Sequence, residues 1–97
     1  METLNFAYEA RQTLPRRAHV GVVASGDLEV LIEPSQNLAT EVRVRTSVTG
    51  FAQVWKQVLD RFFTRFDHAA RIEINDAGAT PGTVTLRLEQ AAEEARS

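Results

Sequence analysis

Residues 20–33 read VGVVASGDLEVLIE, and this stretch is the most informative part of the chain. Two apolar runs flank the turn-forming triplet Ser25-Gly26-Asp27. In residues 28–33 apolar and more polar positions alternate with period two, which predicts a half-buried strand. Residues 18–24 are apolar at neighbouring positions, which favours a central strand. The stretch therefore predicts a β-hairpin with a serine at or beside its tip.

Two turn positions are compatible with this hairpin. A two-residue loop at Ser25-Gly26 pairs Ala24 with Asp27, whereas a loop at Gly26-Asp27 pairs Ser25 with Leu28. The two registers differ in whether Ser25 lies at the tip or in the ladder, and the sequence leaves both open. Both registers place the same apolar side chains on one face: Val23, Leu28, Val30 and Ile32.

Outside the hairpin, periodicity predicts further strands and one strong helix. Alternation predicts strands at about 40–48, 71–74 and 83–88. Aromatic and aliphatic residues from Phe51 to Phe66 follow helical spacing, which predicts a long amphipathic helix over about 50–66. Thr49 or Gly50 can cap its start. Because Trp55 lies on the apolar stripe of this helix, we expect it to be buried.

The two ends of the chain have weaker patterns. Residues 1–17 are interpreted as an N-terminal arm, since Pro15 breaks regular structure. The tail after residue 88 favours a short helix by propensity. The predicted fold is therefore α+β: a small, largely antiparallel sheet of about five strands packed by one long amphipathic helix, with a short C-terminal helix, in a single domain of residues 1–97.

Composition narrows the function classes. The chain has 97 residues, 43% hydrophobic residues and a net charge of −2, which gives no electrostatic footprint for nucleic acid. No apolar run approaches the roughly 20 residues that cross a bilayer, so no membrane partner is expected. There is no cysteine, which excludes disulfides and thiolate metal sites. The N-terminus lacks the features of a signal peptide, and a cytoplasmic location fits.

Catalytic residues are scarce. His19 and His68 are the only histidines, and both are interpreted as structural. Ser25 has no nucleophile-elbow motif around it and no base implied by spacing. Two isolated histidines do not make a zinc site, so no metal is expected. The residues therefore offer little material for catalysis, which disfavours a free-standing enzyme. On local grounds alone, Ser25 is a turn residue.

The stretch from Val20 to Leu31 nevertheless resembles the V-G-V-V-x-S-G-D-L-E-V-L segment of the acyl-carrier (delta) subunit of biotin-independent malonate decarboxylase. Length and the aromatic helix agree with that family. The resemblance implies that Ser25 carries 2'-(5''-phosphoribosyl)-3'-dephospho-CoA through a phosphodiester, with Gly26 and Asp27 shaping the site. It also implies that acetyl and malonyl thioesters form on the thiol of this prosthetic group.

The resemblance implies partners as well: a malonate decarboxylase transferase subunit, decarboxylase subunits and the transferase that attaches the cofactor. A local basic excess at Arg16, Arg17, Arg43 and Arg45 is interpreted as a docking surface for acidic partner surfaces. Two alternatives stay open: the carrier (gamma) subunit of a citrate lyase-like complex, and an unmodified regulatory or interaction subunit in which Ser25 is only a turn residue.

Overall fold

The computed structural model describes residues 1–97 and shows an α+β fold of two layers. One layer is a five-stranded sheet and the other consists of two helices. In chain order the elements are β1 (Glu2–Glu9), β2 (Ala18–Gly21), β3 (Leu28–Pro34), β4 (Ala39–Thr46), α1 (Ala52–Phe63), β5 (Ala70–Asp76) and α2 (Pro81–Arg96). Neither helix is long and apolar enough to span a bilayer.

The sheet is mixed, with the strand order β1-β4-β5-β3-β2. The pairs β1–β4, β3–β5 and β2–β3 are antiparallel, whereas β4 and β5 are parallel neighbours. Parallel neighbours need a crossover connection, and α1 supplies it. The expectation of five strands is confirmed, but the largely antiparallel sheet contains one parallel pair at its centre.

The register places apolar side chains in rows beneath the helices. One row crosses all five strands through Phe6, Val42, Ile72, Ile32 and Ala18. An 18-residue buried cluster joins such rows to the inward faces of α1 and α2. Polar residues occupy the alternate positions of the strands and face the opposite side of the sheet, which no helix covers.

The N-terminal arm expected over residues 1–17 is wrong for its first half. Glu2–Glu9 form β1, an edge strand that pairs antiparallel with β4 along its whole length. Leu4, Phe6 and Tyr8 pack against the core. Their alternation with more polar residues is itself a period-two pattern, which is typical of a strand.

The strand expected over 83–88 is also wrong, because these residues lie in α2. The Thr80 side chain accepts a hydrogen bond from the Thr83 N–H at 3.2 Å, and Pro81 occupies the first helical turn. Both features are helix-start signals. Val84 and Leu88 lie four residues apart on the buried face of α2. At 16 residues, α2 is longer than α1, so the fold has two helices rather than one dominant helix.

The helix expected over 50–66 exists, but it spans Ala52–Phe63. Trp55 is 6% exposed, which confirms its burial. Phe51 is the N-cap residue, without a side-chain cap bond, and it is 48% exposed. The expected caps, Thr49 and Gly50, are therefore wrong. Phe51, the first residue of the predicted apolar stripe, lies outside the core.

The first strand of the hairpin is neither central nor as long as expected. It ends at Gly21 and forms the edge of the sheet, paired only with β3. The central strand is β5, which was expected only over 71–74 and spans Ala70–Asp76. β2 ends at Gly21, where the backbone closely approaches the Leu28 carbonyl group.

Candidate functional site

Ser25 lies in the loop 22–27, at the end of the sheet where β4 and β5 finish. Two further loops, 47–51 and 77–80, leave the same end and lead into α1 and α2. Asp76, the last residue of β5, is paired with Leu28 on one side and with Thr46 on the other. The register therefore brings the three loops next to one another.

Ser25 and Gly26 are the two central residues of a β-turn. The Asp27 N–H donates to the Ala24 carbonyl at 2.9 Å, which closes the turn. Gly26 has φ +77°, and a positive φ at the third position is typical of a type II turn. Ser25 takes the second position and is exposed. The turn therefore presents its hydroxyl outside the β-ladder.

Of the two turn positions considered from the sequence, the one at Ser25-Gly26 is confirmed and places Ser25 at the tip. The strand register that either position would impose is wrong. The structure pairs Val20 with Val30 and Gly21 with Glu29, and the connection is a six-residue loop rather than a two-residue turn. Gly21 has φ +79°, and a Cβ on it would overlap the Leu28 carbonyl oxygen. The chain leaves the sheet at this close approach.

Val23, expected on the core face, is consequently in the loop. It is 59% exposed, and its neighbour Val22 is 58% exposed. Two valines therefore stand in solvent immediately before the Ser25 turn.

The turn is attached to the neighbouring loop by two backbone hydrogen bonds. The Gly26 N–H donates to the Ala77 carbonyl at 2.8 Å, and the Ala77 N–H donates to the Asp27 carbonyl at 2.9 Å. This reciprocal pair extends the β3–β5 pairing beyond Leu28 and Asp76. Ser25 is therefore exposed, and the two residues that follow it are held to the loop after β5.

Asp27 is held by an ion pair with Arg87 of α2. The Arg87 Nε and one terminal nitrogen donate to the two carboxylate oxygens at 3.1 and 2.9 Å. One of these oxygens also accepts the Leu28 N–H at 2.8 Å. The bonds from Arg87, and then the bond from Leu28, hold the pKa of Asp27 below its ordinary value. The carboxylate thus stays ionised and neutralised beside Ser25.

The three site residues expected from the sequence, Ser25, Gly26 and Asp27, thus share one turn. Sequence reasoning missed Arg87, because it assigned residues 83–88 to a strand. It also missed Ala77, which acts through its backbone and has no side-chain signal. The helical spacing of Val84 and Leu88 could have placed Arg87 on a helix, although not opposite Asp27.

The two histidines form local contacts. The His19 Nε2 lies 2.9 Å from a Glu29 carboxylate oxygen on the neighbouring strand. The His68 Nδ1 lies 2.9 Å from the Thr13 carbonyl oxygen, and His68 follows α1 at the opposite end of the sheet from Ser25. No group of three or more His, Asp or Glu side chains comes together in a way that could hold a metal ion.

The four arginines considered for docking do not form a purely basic patch. Arg43 and Arg45 lie on the open face of the sheet, where Arg45 is 3.7 Å from Glu73. Arg16 and Arg17 are exposed just before β2. Arg17 and Arg43 both border a broad concavity on this open face, together with Glu33, Glu41 and Glu73. The surface is therefore mixed in charge.

A family model described as malonate decarboxylase delta subunit (MdcD) matches residues 15–95. The chain is 50% identical over 95 residues to the malonate decarboxylase acyl carrier protein of Azotobacter vinelandii, covering 97% of this chain and 96% of the relative. It is 52% identical to the protein of the same name from Stutzerimonas stutzeri, with the same coverage.

A solved structure matches equally well. One chain of the crystal structure of a Pseudomonas malonate decarboxylase hetero-tetramer in complex with malonate superposes with a TM-score of 0.92. The two sequences are 50% identical, and the match covers 97% of this chain and 98% of that chain. The mixed sheet with its two helices is therefore the fold of a subunit seen inside a larger assembly.

Proposed function

Since the chain belongs to the malonate decarboxylase delta subunit family, we propose that it is the acyl-carrier subunit of a malonate decarboxylase and bears its acyl group on a prosthetic group at Ser25. The observation that supports this most directly is the exposed, backbone-anchored turn that presents Ser25. The relatives named malonate decarboxylase acyl carrier protein match this chain over nearly their whole length. Their names point to malonate rather than citrate.

The residues of the turn fit a phosphodiester-linked group. A serine hydroxyl is the oxygen that such a linkage needs, and Ser25 stands clear of the ladder. The negative charge nearest to it in sequence, on Asp27, is already paired with Arg87. An added phosphate therefore does not face an uncompensated carboxylate, which would repel it. A Cβ placed on Gly26 would have no atom within 4 Å other than those of its chain neighbours, so the turn is open on that side.

The chain has no cysteine, so it has no thiol of its own. A phosphoribosyl-dephospho-CoA group would supply a thiol on which acetyl and malonyl thioesters are carried. The role of this protein is to present that prosthetic group on a fixed turn. A tethered acyl group then meets each partner active site at a high effective concentration. We propose that the chain itself is not a catalyst.

We propose three kinds of partner: a transferase subunit, decarboxylase subunits and the separate transferase that loads Ser25. The related subunit was solved in a hetero-tetramer, which supports a multisubunit setting. Val22 and Val23 are exposed immediately before the turn, and they suit contact with an apolar rim around a partner active site. Arg43 on the open face suits long-range steering, so that Arg43→Glu would change the association rate and its salt dependence.

The test is the intact mass of the chain after co-expression with the cofactor-attaching enzymes. We expect wild type to gain one adduct of the size of phosphoribosyl-dephospho-CoA, and Ser25→Ala to gain none. Ser47→Ala is the matched control, because Ser47 is also exposed and lies in a loop at the same end of the sheet. It should be loaded like wild type.

Two outcomes contradict the proposal. An adduct on Ser25→Ala would show that the attachment residue is wrong. An unloaded wild type, under conditions that load a relative such as the A. vinelandii protein, would leave the unmodified interaction subunit as the better description.

A further inference from the structure

An apolar crevice of about 280 Å³ opens between the N-terminal parts of α1 and α2. Trp55, Val58 and Val84 line it from the two helices, and Ala79 lines it from the loop before α2. Val48 and Phe51 lie at its rim and are 39% and 48% exposed. Exposed apolar side chains gathered around a concavity mark a surface that another group covers.

The crevice begins beside the Ser25 turn. Gly78 lines the crevice and directly follows Ala77, whose carbonyl accepts the Gly26 N–H at 2.8 Å. Standard backbone dimensions place the Cα atoms of Ser25 and Gly78 within roughly 10 Å of each other along this path. A flexible group attached to Ser25 therefore reaches the crevice without any rearrangement of the fold.

The chemistry of the lining favours an uncharged occupant. Asp76 is the one ionisable residue in the lining, and it is 7% exposed. Its carboxylate accepts hydrogen bonds from the Thr46 hydroxyl at 2.8 Å and from the Gly78 and Ala79 N–H groups at 3.2 and 2.9 Å. It is thus satisfied within the fold. A second carboxylate placed beside it would meet a like charge in a largely apolar site, which is unfavourable.

We propose that this crevice binds the uncharged thiol or acetyl-thioester end of the group carried by Ser25 and excludes the malonyl end. The inference rests on the proposed function, because it needs a group on Ser25. The volume lies near the lower end of ligand pockets, which run from about 300 to 1,000 Å³, and suits the terminal part of such a group rather than the whole. The chain would then shelter its acyl group before malonyl exchange and release it afterwards.

The test uses the loaded full-length chain, confirmed by mass, and the reaction rate of its free thiol with dithiobis(nitrobenzoic acid). Phe51→Ser removes the apolar side chain at the rim, and its exposure makes the fold tolerant of the change. We expect the thiol of Phe51→Ser to react roughly fivefold faster than that of wild type, the effect of about 1 kcal/mol of lost contact. Leu38→Ser is the matched control, since Leu38 is 58% exposed at the opposite end of the sheet. Its thiol should react like wild type.

A second measurement identifies the occupant. Amide spectra of unloaded, acetyl-loaded and malonyl-loaded chains should differ at Trp55, Val58 and Ala79 on acetyl loading, and these shifts should diminish on malonyl loading. Equal thiol reaction rates in loaded wild type and loaded Phe51→Ser would overturn the proposed binding in the crevice. The proposed function would remain intact. If these amide shifts arise only when partner subunits are added, the crevice binds a side chain of a partner, and the inference is also overturned. Failure of loading itself, seen by mass, removes the proposed function and this inference together.

Discussion

Trp55 and Ser25 stand in two regions of the molecule that are built in different ways. Trp55 is 6% exposed and belongs to an 18-residue apolar cluster between the helices and the sheet. Ser25 is exposed, in a loop whose shape comes from two backbone hydrogen bonds to Ala77 and from the Asp27–Arg87 ion pair. The first region depends on buried area and the second on directional polar contacts.

This difference teaches where substitutions should act. Apolar burial is the dominant favourable contribution to folding, so changes beneath α1 should lower the free energy of unfolding. The loop contributes little buried area, so most changes there should alter the presentation of Ser25. The two measurements, unfolding free energy and prosthetic-group loading, therefore separate the two regions.

The largest effect on stability is expected for Trp55→Ala. Removal of a buried aromatic side chain costs about 3–5 kcal/mol, because transfer free energy is lost and a cavity is left. Urea unfolding of the variant measures this loss. Leu38→Ala, at a 58% exposed loop position, is the control and should stay within about 0.5 kcal/mol of wild type. A near-neutral Trp55→Ala would mean that α1 does not pack as described.

Gly21→Ala should have the next largest effect, although Gly21 is at the end of an edge strand. The backbone has φ +79°, and the added Cβ would overlap the Leu28 carbonyl oxygen. The left-handed backbone and the overlap together give an expected loss of about 2–4 kcal/mol. Urea unfolding checks it. A variant as stable as wild type would show that β2 can leave the sheet elsewhere, and the two regions would then be less distinct.

Gly26→Ala is the matched test inside the loop. Its φ of +77° is nearly that of Gly21, but no atom lies within 4 Å of the position of an added Cβ. Only the backbone strain remains, so we expect a loss of about 1–2 kcal/mol. Loading of Ser25 should slow more than stability suggests, because the turn itself changes. Equal losses for Gly21→Ala and Gly26→Ala would contradict the role assigned to the Leu28 carbonyl.

The same contrast separates what the sequence could predict from what it could not. The stripe that contains Trp55 and the alternation in β3 and β4 are periodic, and both were predicted with nearly correct bounds. The turn-forming triplet Ser25-Gly26-Asp27 predicted the turn itself. The early end of β2 could not be predicted, because it depends on a contact between Gly21 and Leu28 that exists only in the folded chain.

The misassignment of α2 has another cause. Residues 83–88 alternate between polar and apolar residues, and tertiary packing overrides this local pattern. Val84 and Leu88 are buried whereas Leu86 is 53% exposed, which is a helical pattern. The partnership of Asp27 with Arg87, 60 residues apart, follows from this packing. No spacing rule in the sequence contains it.

Asp27→Asn should change how stability depends on pH. The folded-state pKa of Asp27 is lowered by Arg87 and by the Leu28 N–H, so the carboxylate stabilises the fold above its ordinary pKa of 3.8. That contribution is lost as the pH falls through the lower folded pKa. Wild type should therefore exceed the variant in stability at neutral pH, and the two should converge in acid. Urea unfolding from about pH 7 down to about pH 3 tests this.

Asp60 and Asp67 also have lowered pKa values, through hydrogen bonds from Lys56 and Tyr8 and from Arg11 respectively. Both are retained in the variant, so their contributions cancel in the comparison. A gap between wild type and Asp27→Asn that does not narrow as the pH falls below 3.8 would indicate a packing defect rather than the loss of an ion pair.

Ser25→Ala should have the smallest effect on stability and the most complete effect on function. The side chain is exposed at the second position of the turn, where an alanine adopts the same backbone. Unfolding free energy should remain within about 0.5 kcal/mol of wild type, and the amide signals of Gly26 and Ala77 should keep their positions. Prosthetic-group loading and malonate turnover by the assembled complex should be abolished. Trp55→Ala provides the reverse case, because at low temperature its remaining folded fraction should still be loaded. If Ser25→Ala instead lost as much stability as Gly26→Ala, the hydroxyl would be part of what holds the turn, and the separation between the two regions would fail at its most important residue.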